Sequence, residues 1–206
     1  MENNKKKKII DIATALFAKH GFENISLKQL AMEAHVNVAS ISYYFGGKEP
    51  LYQLILQNHF SPALKSLQKI ETINGLTATE RLTQVIVRLK RQQPYLTSFW
   101  HYERFRAPLD GSSIVKQYTA ELYHCLFTCL SQGISEQEFI PTLQQHHLTI
   151  LLLEIIHSPF CAPGLMTEAT PLIKDDYKDY SNQAFYIFIQ GIKRIENCSN
   201  EQFFLG

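Results

Sequence analysis

The densest run of chemistry-bearing side chains lies between Ser26 and Lys48, in the segment SLKQLAMEAHVNVASISYYFGGK. Hydroxyls on Ser26, Ser40, Ser42 and Tyr43 can bond phosphate oxygens or base edges, and Lys28 and Lys48 can neutralise phosphate charge. Four consecutive lysines, Lys5 to Lys8, could lie along a nucleic-acid backbone or reach into a minor groove. A second set is aromatic and polar: Phe99, Trp100, Tyr102, Glu103 and Arg106, followed by a stripe of Tyr118, Leu122, Cys125 and Cys129. Aromatic walls with few polar handles suit a small-molecule pocket, although the same residues more often form plain core. A third set is two Glu-x-x-His pairs, Glu121–His124 and Glu154–His157. A helical-bundle di-metal carboxylate enzyme uses two such pairs and one further Glu from each of two other helices, here nominally Glu103 and Glu196. Against that reading, Glu121 and His124 sit off the centre of the Tyr118/Leu122/Cys125 stripe.

The cysteines carry less. Cys125 and Cys129 share a helical face and could join His124, His157 and Cys161, but zinc requires four converging ligands. Small buried hydrophobes explain these thiols more simply. With Cys198 they show no secreted-framework spacing, so a reducing compartment is expected. The chain holds no Ser-His-Asp order, Walker loop or GxGxxG. The expectation is therefore no enzyme, no cofactor and no metal.

The elements that must position these groups are helical almost throughout. Ile9, Ile12, Ala13, Leu16 and Phe17 fall on one face of a helix that Gly21 ends. Ser26 caps a short helix whose inner side is Leu27, Leu30, Ala31 and Ala34. After the turn His35-Val36-Asn37, Asn37 caps a second short helix reaching about Tyr44. Two short helices joined this tightly form a helix-turn-helix, whose second helix can enter a major groove. A long helix starts at Lys48, with Pro50 tolerated in its first turn, and its N-terminus offers further donors to phosphate. Pro62 should kink or end it near Phe60. Further helices are expected at about 78–92, 95–107, 113–131, 142–158 and 181–196.

A length of 206 residues with 45% hydrophobic and 19% charged side chains is enough for a buried core. Twenty basic against nineteen acidic residues leave a net charge of +1, which excludes a tail-like polycation. The positive surplus sits in residues 1–50, with seven lysines against five acids. No apolar run reaches the roughly 18 residues of a membrane span, so a cytoplasmic chain with no membrane partner is expected.

The stretches AxxLFAKHGFENIS (Ala13–Ser26) and LKQLAMEAHVNVASISYYFGGKEPLY (Leu27–Tyr52) resemble the DNA-binding domain of the tetracycline-repressor (TetR) family of bacterial regulators. The resemblance covers about residues 9–57; beyond it, the chain is similar only in helix number and length. It implies an all-α homodimer with an N-terminal three-helix helix-turn-helix domain (1–50) and a C-terminal helical bundle domain (51–206). That bundle would bind an effector and a second copy of the chain, giving about nine to ten helices in all. By the same resemblance, Val38, Ala39, Ser40 and Tyr43 face DNA in the groove, and Ser26, Tyr43, Tyr44 and Lys48 touch its backbone. Lys28, Asn37 and Ser42 complete the expected DNA-binding set. Two positions depart from the pattern. His35 stands where Gly is usual, and must take positive φ. Ser42 replaces an aromatic. The second helix has no Arg, Lys, Gln or Glu, so readout should run through hydroxyls and thymine-methyl contacts to Val38 and Ala39, with shape readout by the lysines.

Two late helices, His147–Ser158 and Gln183–Ile195, are apolar on nearly every face. That pattern needs cover on more than one side. Leu148, Leu151, Leu152, Ile155, Phe185, Phe188, Ile189 and Ile192 are therefore the expected homodimer interface. The effector pocket is expected at Phe99, Trp100, Tyr102, Glu103, Arg106, Tyr118, Leu122 and Cys125. The resulting expectation is a transcriptional repressor that binds a palindromic double-stranded DNA operator and is released by a small molecule. A protein-interaction module without DNA contact is the remaining rival, and it would need neither the hydroxyls nor the lysine run.

Overall fold

A computed structural model describes residues 2–71, 73–92, 95–106, 113–141, 144–157 and 177–194. The described residues form nine helices: α1 (Glu2–His20), α2 (Leu27–Ala34), α3 (Val38–Phe45), α4 (Lys48–Glu71), α5 (Ala78–Gln92), α6 (Leu96–Phe105), α7 (Ile114–Ser135), α8 (Gln145–His157) and α9 (Tyr177–Ile192). The only pairing of extended backbone among them is an isolated bridge between Phe139 and Lys193. None of these helices is long and apolar enough to cross a membrane. Glu196, Cys161 and Cys198 lie outside the described residues, as does the expected end of the last helix at 196.

The first three helices close over a small core of Ile9, Ala13, Phe17, Ile25, Leu30, Ala34 and Ile41, all essentially inaccessible. Both expected caps are present. Ser26 Oγ accepts from the Gln29 N–H at 3.1 Å, and Asn37 Oδ1 accepts from the Ser40 N–H at 2.7 Å. His35 sits in the left-handed region (φ 55°, ψ 46°), as the missing glycine requires. Its N–H bonds the Met32 carbonyl, and the Val36 N–H bonds the Ala31 carbonyl, closing the turn.

Lys5 to Lys8 lie in the first turns of α1, which begins at Glu2. Lysine is a good helix former, so the run extends the amphipathic segment that follows it.

Helix α4 departs from expectation at Pro62, through which it continues to Glu71. Proline removes the bond to the carbonyl four residues back, at Asn58. Asn58 and Pro62 both face solvent, so water can satisfy that carbonyl. Meanwhile Phe60, Ala63, Leu64 and Leu67 stay buried on the opposite side and hold the helix in one piece. α4 packs on α1 and α3 as well as on α5 and α7. One hydrophobic cluster therefore runs from Ile9 through α4 to Ile192.

The bundle is locked at one end by two contacts that local pattern does not announce. Glu138, after α7, accepts from the Ala78 and Thr79 N–H groups at 2.9 and 3.1 Å and from the Thr79 hydroxyl, capping α5. α7 runs past Gly133, where a Cβ would fall 2.2 Å from the Phe139 ring. The glycine is there for close approach, and it does not stop the helix.

Candidate nucleic-acid interface and its link to a cavity

Helix α3 is anchored by a single fully buried side chain, Ile41. Asn37, Val38, Ala39, Ser42 and Tyr43 are exposed around it, with Tyr43 at 81%. Two turns of helix held from one side present the other side to whatever lies outside. Ser40 is half-buried, and its hydroxyl donates to Asn37 Oδ1 at 2.9 Å, so it supports the cap and keeps only lone pairs for an outside donor. Tyr43 and Tyr44 meet edge to face at 5.3 Å, and the Lys6 ammonium lies 5.3 Å from the Tyr44 ring centroid. Lys6 thus ties α1 to the end of α3, a contact invisible in the spacing of either segment. Ser26 and Lys28, at the start of α2, are exposed as well.

Lys48 is differently placed. Its ammonium sits 4.0 Å from the Phe22 ring centroid. Burial lowers its pKa, while Glu23 and Glu49 act to raise it and Arg106 to lower it further. The Arg106 guanidinium is also on Phe22, at 4.2 Å, so two cations share one ring. Arg106 bonds Glu49 at 2.8 Å and meets Glu23 and Glu103 at 3.4 Å each. Burial alone would lower its pKa, but the Glu49 bond and charge, with Glu103, outweigh that and raise it. Tyr52 donates to Glu103 at 2.9 Å, and burial first, then Glu103, pushes its phenol well above the ordinary range. The Tyr102 hydroxyl donates to the Lys19 carbonyl at 3.1 Å, beside Gly21, where a Cβ would crowd its ring at 3.0 Å. The end of α6 is therefore bonded to the end of α1, the loop after it and the first turn of α4.

Between α6 and α7 lies a cavity of about 590 Å³, lined by Trp100, Glu103, Arg104, Arg106, Ser113, Val115, Lys116, Thr119, Ala120 and Tyr123. Of the residues expected in a pocket, Trp100, Glu103 and Arg106 line it. Phe99 instead packs on Tyr52 and His59, and Tyr118 on Phe60, while Leu122 and Cys125 are in the core and Tyr102 braces α1. The expected stripe on α7 is its core face, and the neighbouring mixed stripe, Lys116, Thr119 and Tyr123, faces the cavity. Under Trp100, the His157 ring stacks at 4.0 Å.

The rival metal reading meets a contrary geometry. Glu154 pairs with Arg104 at 3.0 Å, His157 is buried against Trp100 and Tyr118, and His124 is exposed. Among the described residues no three His, Cys, Asp or Glu side chains converge to hold a metal ion.

The 19-residue α1 and two short helices, the third capped and exposed, set on a larger helical body, form a helix-turn-helix arrangement of the kind that binds DNA. Residues 9–55 match the family model described as bacterial regulatory proteins, tetR family. A Bacillus subtilis (strain 168) protein named as a probable HTH-type transcriptional regulator, YttP, is 27% identical over 175 residues, 82% of this chain and 83% of that one. The HTH-type transcriptional regulator RutR of Escherichia coli (strain K12) is 23% identical, covering 92% of this chain and 91% of its own. The ketosteroid transcriptional regulator KstR2 of Mycobacterium tuberculosis has the same fold, with a TM-score of 0.77 at 18% identity over 92% of this chain and 95% of that chain. The regulator FadR of Bacillus subtilis, solved in complex with stearoyl-CoA, superposes with a TM-score of 0.64 at 20% identity, covering 90% of this chain and 98% of its own. Over residues 9–55 the chain is therefore similar to the DNA-binding region of the TetR family, and its described helices share the fold of solved transcriptional regulators.

Proposed function

We propose that the chain is a homodimeric repressor that binds a palindromic operator and is released by a small-molecule effector. The exposed face of α3, whose one fully buried side chain is Ile41, is the observation that carries the reading. Residues 1–50 form the reading head. Val38, Ala39, Ser40 and Ser42 approach base edges from the groove, Asn37 holds the helix start, and Ser26, Lys28, Tyr43, Tyr44 and Lys48 serve the phosphate backbone. Lys48 does so from a partly buried seat on Phe22, which limits it to an electrostatic contribution. The cavity beside α6 is the effector site, and residues 51–206 hold it and the partner copy.

Helices α8 and α9 supply the dimer face. Leu148, Leu152, Phe188, Ile189 and Ile192 are buried in the chain's own core, and Ile155 and Phe185 are half-buried. The unpartnered apolar surface lies a step around each helix, at Ile150 and Leu151 on α8 and at Tyr186 and Ile187 on α9, each at least half exposed. A second copy covering these residues would place two α3 helices in successive major grooves, roughly 34–36 Å apart or a small multiple of that. An effector that favours one tilt of α4 would change this spacing, and effector and DNA would then oppose each other reciprocally.

Selecting bound sites from random duplexes tests the reading. The expected result is an inverted repeat with half-sites about one helical turn apart, bound by a dimer in light scattering. Recovery of no common sequence, or of a single unrepeated half-site bound by a monomer, would contradict it.

A further inference from the structure

The cavity between α6 and α7 is chemically lopsided. Trp100 and Tyr123 give it aromatic walls, and its charged lining is Arg104, Arg106 and Lys116 against one carboxylate, Glu103. Much of that charge is already matched. Glu154 holds Arg104 at 3.0 Å, and Glu103 serves both Tyr52 and Arg106. Lys116 differs: it stands exposed on α7 and is in no ion pair among the described residues. Arg106 is held by Glu49 at 2.8 Å, and its looser contact is the one with Glu23, 3.4 Å long and made to a carboxylate 75% exposed. An exposed pair of that kind is worth little, so giving it up costs little.

We propose that this cavity takes an organic anion with a flat apolar body, whose acidic group is received by Lys116 and competes with Glu23 and Glu49 for the Arg106 guanidinium. A neutral ligand of the same shape would cover Lys116 without pairing it, and a cation would meet like charge. Competition for Arg106 has a structural consequence. Its guanidinium joins the end of α6 to Glu49 in the first turn of α4 and stacks on Phe22 in the loop after α1. Drawing it toward the cavity loosens the start of α4, which follows α3 after two glycines. The consequence at DNA rests on the effector reading above, whereas the binding chemistry rests on the cavity alone.

The test uses two fluorescent probes with the same ring body, the anion 8-anilinonaphthalene-1-sulfonate and its neutral parent N-phenyl-1-naphthylamine. Each is titrated into the full chain without DNA. Quenching of Trp100, the chain's one tryptophan and a wall of the cavity, is the readout. The sulfonate should bind about tenfold more tightly than the neutral probe, the effect of one charge-assisted hydrogen bond. Lys116→Gln should shrink that preference and Lys116→Glu should abolish it, with the helical circular dichroism unchanged because the side chain is exposed. Saturating sulfonate should also speed hydrogen exchange at the Leu51 and Tyr52 amides. Equal affinity for the two probes, a preference that survives Lys116→Glu, or unchanged exchange in the first turns of α4 would overturn the proposal. No DNA enters this assay, so its failure is separate from a failure to bind duplex.

Discussion

His157 allows the assembly of the body to be tested through pH. Its ring is fully buried and stacked on Trp100 at 4.0 Å. Nδ1 lies 2.8 Å from the Leu153 carbonyl, and the Tyr118 hydroxyl lies 3.3 Å from Nε2. A carbonyl only accepts, so Nδ1 is assigned the proton and Nε2 accepts from Tyr118. A second proton would place a positive charge in a fully buried site. Burial above all, helped by His101 and Arg104 and opposed by the Leu153 carbonyl, lowers the pKa from 6.5 to about 3. The unfolded chain thus takes up this proton near pH 6.5, whereas the folded chain refuses it down to about pH 3. More protons are bound unfolded than folded across that window, so stability falls as pH drops through it. The slope inside the window is about 1.4 kcal/mol per pH unit. Carboxylates titrate there too, so the quantity to measure is a difference. Urea unfolding of the wild type and of His157→Gln should be followed by Trp100 emission at about one-unit intervals of pH. Each unit of acidification in the window should cost the wild type about 1.4 kcal/mol more than the variant. A stability gap between the two proteins that stays constant from neutral to mildly acid pH would refute a neutral, buried imidazole.

Three further outcomes follow from the packing. Ile41→Ala removes the one buried side chain of α3, and should cost about 2–5 kcal/mol by thermal denaturation while weakening DNA binding. Gly133→Ala drives a methyl into the Phe139 ring, and should lower stability by about 1–3 kcal/mol in urea titration with the helix content retained. Ile187→Glu puts a charge on the exposed face of α9, and should give a monomer in light scattering with native circular dichroism; a dimer of unchanged strength would place the interface elsewhere.

Local chemistry made the reading head legible. Ser26 and Asn37 cap the helices their spacing marks, and His35 takes the left-handed turn that the motif demands of it. Their information lies within a few residues of chain. Pro62 misleads because the cost of its missing donor depends on which side of α4 meets water, and only the packed fold decides that. Tyr118, Leu122 and Cys125 mark a true stripe, but periodicity cannot say whether an apolar stripe faces core or cavity. The mixed stripe beside it, Lys116, Thr119 and Tyr123, lines the cavity but has the pattern of ordinary helix surface. The same limit applies to α8 and α9, where apolar residues all round announce two covered faces without saying which belongs to the chain itself. Arg106 was visible as a pocket candidate, but its bond to Glu49 joins segments far apart in sequence and has no local signature.

The most direct test of the reading helix is the affinity of Tyr43→Ala for duplex DNA, measured by fluorescence anisotropy beside the wild type at matched salt. Tyr43 is 81% exposed and packs only edge to face on Tyr44 among the ring contacts seen, so the variant should fold normally. If its hydroxyl holds a phosphate, affinity should fall about tenfold on the selected operator and on unrelated duplex alike. Undiminished affinity in a folded Tyr43→Ala protein would contradict the assignment of α3 as the helix that meets DNA.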